Sequence, residues 1–270
     1  MKIAADWHPQ GLGRALGYLV GALVLGTAFP HLLKAFGHHL PWRHVLVTTS
    51  SLATGGALLL FLTVPDGPHR RAPLPFSWRA IPHIFRFPEF RAVAFGYFGH
   101  MWELYAWWAF VPAFLTAWNL LHPASPLSVP LWSFAAIAAG SLGCVLGGHW
   151  SQQLGSPRVA FLMLAVSGIC CLLSPLFLSL PPAFLLAVLF LWGFTIVADS
   201  PQFSTLVART APPAYVGTAL TLTNCLGFAL TIGSIQLLTA LQGIISPRWW
   251  YLLLLPGPLF GLWQFRRLLR

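Results

Sequence analysis

The chain has 270 residues, of which 57% are apolar and only 7% charged, with a formal net charge of +10. A balance this apolar excludes the one or two soluble domains that the length alone would allow; repeated apolar runs of about 20 residues or more predict an all-α, polytopic membrane helical bundle of about eight spans. The positive charge is not a nucleic-acid footprint, because the basic residues lie in short loops between apolar runs rather than on one polar face.

Residues 1–11 form a polar lead, too short and too weakly basic for a secretory signal. The first spanning helix is expected over 12–33 and to end at Pro30-His31. Its Gly17-x-x-x-Gly21 and Gly26 make a small-residue stripe that lets another helix come close. The second is expected over 44–64, closed by Pro65-Asp66-Gly67-Pro68. Residues 65–91 are the longest polar segment, with Arg70, Arg71, Arg79, Arg86 and Arg91. Such a run could meet anionic lipid or nucleic acid; between spanning segments it reads as a topology-setting loop at the head groups.

The third helix, 92–118, carries Glu103 as its twelfth residue. At 1.5 Å per residue the acid lies ~18 Å in, near the middle of a ~30 Å hydrocarbon core. Inserting a carboxylate there costs on the order of 3 kcal/mol, so it needs a bundle interior or a polar cavity. His100 and Trp107 share its helix face, with Gly96 one turn earlier. Two readings stand: a titratable pair beside an aromatic wall, on a substrate or proton pathway, or a structural acid that never titrates.

Further helices are expected over 131–149, 159–179 and 183–199, the last ending or kinking at Asp199-Ser200-Pro201-Gln202. A seventh, 216–242, places Gly217, Thr221, Asn224 and Thr231 near one face, with Asn224 as interhelical glue or ligand contact. The eighth, 248–265, contains Pro256 and Pro258. The four cysteines all fall in apolar runs and read as small buried hydrophobes. With no phosphate-binding Gly loop, nucleophile elbow or metal-ligand spacing, no enzyme activity, cofactor or metal is expected. If residue 1 is cytoplasmic, 12 of the 15 Lys and Arg fall inside and only Lys34, Arg43 and Arg248 outside, which puts both termini in the cytoplasm of a plasma (inner) membrane protein.

In this order the segments resemble part of a major facilitator superfamily transporter. Gly147 to Arg158 resembles the family's loop motif, roughly G-x-x-x-D-x-x-G-R-R, but Gln152 stands at the acidic position and Pro157 at a basic one. Gly13-Arg14-Ala15-Leu16-Gly17 resembles the entry to the family's fifth helix. The resemblance implies that residues 1–64 match the last two helices of a first half, 65–91 the central cytoplasmic loop and 92–270 the six-helix second half. It also implies that the first four helices are absent, so that a longer chain or another membrane subunit supplies the facing wall. The implied function is secondary transport of a small solute, proton-coupled through Glu103, with a cavity lined by His100, Glu103, Trp107 and Asn224. The competing expectation is a non-transporting scaffold.

Overall fold

A computed structural model describes residues 1–8, 10–37, 41–69 and 80–269, so Arg70, Arg71 and Arg79 of the basic loop lie outside the described residues. After a short helix α1 (Lys2–Trp7), α2 spans Leu12–Phe36. It continues through Pro30 instead of ending there. A proline removes one backbone donor, and a spanning helix whose other groups are all paired internally tolerates that single gap. The helix α3 (Trp42–Thr63) has no buried residue and presents apolar side chains such as Phe61 and Leu62 outward.

Within the expected loop, α4 (Ala80–Ile84) precedes α5 (Pro88–Leu121). Proline in the first turn and Glu89 beside the positive helix end explain why α5 starts at Pro88, inside the segment read as loop. Then come α6 (Val129–Leu154) and α7 (Ser156–Leu173), joined by Gly155 at φ 83°. L side chains avoid that conformation, so Gly155→Ala is expected to lower stability by about 1–3 kcal/mol, read as a lower midpoint of thermal unfolding in detergent.

The helices α8 (Pro182–Ala198) and α9 (Ser200–Thr210) form one broken span, 29 residues long, jointed at Asp199 with Pro201 in the first turn beyond. The helix α10 covers Val216–Leu241, and the expected eighth helix is divided into 3-10 turns over Pro247–Trp249 and Tyr251–Leu254 and a short helix α11 (Pro256–Phe265). Pro256 opens α11 and Pro258 lies in its first turn, where a missing backbone donor costs least, so the regular helix starts afresh there instead of running on from the 3-10 turns. Among the described residues, seven helices are long and apolar enough to cross a membrane.

Two glycine seams set the packing. A Cβ at Gly17 would lie 2.6 Å from the Cys144 carbonyl oxygen, so the small-residue stripe of α2 is where α6 docks. On the other side of α6, Gly193 of α8 sits against the Ala136 carbonyl and Gly140 against Gly193. The helix α5 is wrapped by α9, α10 and α11, and with α8 it brings Trp107, Trp118, Trp192 and Tyr251 into the core. The buried stripe of α10 is Thr223, Gly227, Thr231 and Ser234; Thr221 and Cys225 are exposed, against expectation, and Asn224 is half-buried.

Candidate functional site

The site grows from one face of α5. Glu103 is 1% exposed, and its Oε1 accepts hydrogen bonds from Ser167 of α7, from Trp192 Nε1 of α8 at 2.8 Å and from Cys171 Sγ of α7 at 3.3 Å. Three donors from two helices compensate much of the desolvation that a lone buried carboxylate would suffer. Trp192→Phe deletes one of them and, phenyl being smaller than indole, also leaves a void at this fully buried position, so it is expected to destabilise the bundle by about 1–3 kcal/mol or more, measured by thermal or denaturant unfolding.

One turn nearer the start of α5, His100 meets a second acid. Its Nδ1 is 2.9 Å from Oδ1 of Asp199, at the α8–α9 joint, and both side chains are sealed from solvent. The contact is close but poorly aligned: His100 Nε2 and both Asp199 oxygens lack a well-placed hydrogen-bond partner. The imidazole closes a triangle of rings with Tyr97 and Phe203, its centroid 5.8 Å from each and theirs 6.2 Å from one another. Further along α9, Gln202 is fully buried with both amide atoms unpartnered, beside Gly13 at the start of α2. Buried polar groups are normally satisfied, so these unmet atoms are exceptions to the packing around them.

The structure thus brings Glu103, His100 and Trp107 together but seals all three inside the helix packing. Trp107 is fully buried, its ring 5.6 Å from Trp192 and its indole N–H unpartnered. Asn224 stands apart: its Oδ1 accepts from the Tyr97 hydroxyl at 3.0 Å and its Nδ2 faces Met1 Sδ at 3.9 Å. That bond ties α10 to α5, as interhelical glue would. Asp199, read from sequence only as a helix end, belongs to the cluster. The available signal was that, of five carboxylates, only Glu103 and Asp199 fall within apolar runs. Nothing in the sequence singled out Ser167, Cys171 or Trp192 as partners of Glu103. Among the described residues no group of His, Cys, Asp and Glu could hold a metal ion.

The order of spans, the glycine-lined approach of α2 to α6 and the tight turn at Gly155 agree with the match of a family model, described as Major Facilitator Superfamily, to residues 1–235. The chain belongs to the Major Facilitator Superfamily. No curated protein matches it. Membership places this facilitator chain among multi-pass membrane proteins that act as secondary transporters of small solutes, a family of transporters rather than enzymes.

Proposed function

We propose that this facilitator chain couples solute movement to proton exchange at the interior cluster of Glu103, His100 and Asp199, in a plasma (inner) membrane with both termini cytoplasmic. The observation that carries the reading is the pairing of His100 with Asp199 one helical turn from Glu103, all buried within spanning helices. Ionisable groups held at membrane depth serve proton or substrate pathways. Histidine is the side chain best suited to pass a proton near neutral pH. The unpartnered Gln202 amide extends the polar row from this cluster toward the start of α2, giving a proton a direction of entry. The aromatic wall of Tyr97, Trp107 and Trp192 beside the acids suits a cationic or amphipathic solute. Lipid, or a further membrane subunit, covers the apolar side chains that α2 and α3 turn outward.

Uptake into proteoliposomes tests the reading. Across a panel of small cationic and amphipathic solutes, an imposed pH gradient of about one unit, about 1.4 kcal/mol per proton, is expected to raise the accumulation of at least one by up to about tenfold. Accumulation indifferent to the gradient for every transported solute would remove proton coupling, and absence of any uptake would remove transport by the chain alone.

A further inference from the structure

Away from the acid cluster, a cavity of about 310 Å3 lies where the first turns of α2 meet the last turns of α6. His8, Gln10, Gly11, Arg14, Tyr18 and His149 line it, and no carboxylate does. Tyr18 Oη and His149 Nε2 are 3.1 Å apart and their rings meet edge to face at 5.8 Å, so the two walls are held in register. The first turn of α2 has neither an acidic residue nor a side-chain cap. Gln152 stands where the family's loop motif places an acid, and its amide nitrogen approaches Gly11 to within 3.7 Å of a Cβ there. A neutral amide therefore faces the positive end of α2, and the cavity gathers hydrogen-bonding side chains around the Arg14 guanidinium, with no carboxylate among its described lining residues.

We propose that this cavity binds a phosphate group, carried by an anionic phospholipid or free in solution. Arg14 supplies a planar guanidinium fork that matches two phosphate oxygens, and the Tyr18–His149 pair, with one group donating to the other, keeps one further O–H or N–H to offer. The cavity lies at the end of α2 that the charge asymmetry assigns to the cytoplasmic side, where basic pockets between helices take anionic lipids. Leu19 and Leu23, exposed on α2 next to it, offer acyl chains an apolar track.

Native mass spectrometry of the purified chain, released from micelles doped with phosphatidylglycerol or phosphatidylcholine, tests this. Phosphatidylglycerol is expected to be retained at about tenfold lower concentration than phosphatidylcholine, and the Arg14→Gln, His149→Gln double variant to lose that preference, while Arg267→Gln keeps it. Displacement of the lipid by inorganic phosphate assigns the site to the phosphate group alone; retention in its presence assigns it to the whole head group. Equal retention of the two lipids by the unmodified chain, or an unchanged preference in the double variant, overturns the proposal. If the double variant does not fold, Arg14→Lys keeps the charge but not the fork, and is expected to weaken retention several-fold; no change there overturns the proposal equally.

Discussion

Asp199→Asn is expected to uncouple uptake from the proton gradient, lowering gradient-driven accumulation by about tenfold or more while leaving downhill exchange of the solute within about twofold. Asparagine has nearly the same shape and can still accept from His100 Nδ1, so the α8–α9 joint keeps its geometry. What it cannot do is bind and release a proton. The expectation rests on geometry: neither Asp199 oxygen nor His100 Nε2 is committed to a well-aligned bond. Glu103 differs: its Oε1 is engaged by Ser167, Trp192 and Cys171. Glu103→Gln can keep its carbonyl oxygen toward these donors but gives up the negative charge they stabilise and brings an amide NH2 into the buried site, so it is expected to lose stability by about 1–3 kcal/mol as well as coupling. Parallel measurement of gradient-driven uptake, exchange and unfolding midpoint separates the two residues. An Asp199→Asn protein with intact accumulation would remove the assigned role.

Gly193→Leu is expected to have the largest structural effect of any single substitution discussed, abolishing monodisperse, folded protein in detergent. The backbones of α6 and α8 touch at this position, where Gly193 faces the Ala136 carbonyl and the Trp107 ring. Adding even a methylene or two to a filled core costs about 1–3 kcal/mol, and here the obstacle is backbone, which cannot rotate aside. The same seam orients Trp192 toward Glu103, so loosening it would disturb the cluster too. Gly26→Leu serves as the control: nothing lies within 4 Å of a Cβ there, and size-exclusion profile and unfolding midpoint are expected to stay unchanged. A folded Gly193→Leu protein would contradict the packing.

Much of the fold is legible in sequence because membrane length and apolarity are properties of single segments. The spans from α2 to α10 follow from them, and the Gly17-x-x-x-Gly21 stripe shows that α2 must dock closely. What sequence does not contain is the partner: that α6 receives this stripe depends on the three-dimensional arrangement. Prolines misled in both directions. Pro30 reads as a stop and lies inside α2, whereas Pro256 and Pro258 fall in an apparently spanning run and open a separate helix within it. A missing donor is fixed by chemistry, but whether the chain bends around it depends on its neighbours. At the site, Glu103 stands out because a carboxylate mid-membrane is rare. Asp199 was hidden by the turn-like run Ser200-Pro201-Gln202, and the donors to Glu103 are common residues distinguished only by pointing inward.

The most direct test needs no knowledge of the solute. Infrared difference spectra of the reconstituted chain, recorded across a pH titration, report carboxyl groups as they gain and lose protons. A pH-dependent carboxyl band that persists in liposomes and disappears in Asp199→Asn, with the Glu103 band shifted in the same variant through their common neighbour His100, is the expected result. A spectrum in which Asp199→Asn removes no titrating band would contradict proton exchange at the buried pair.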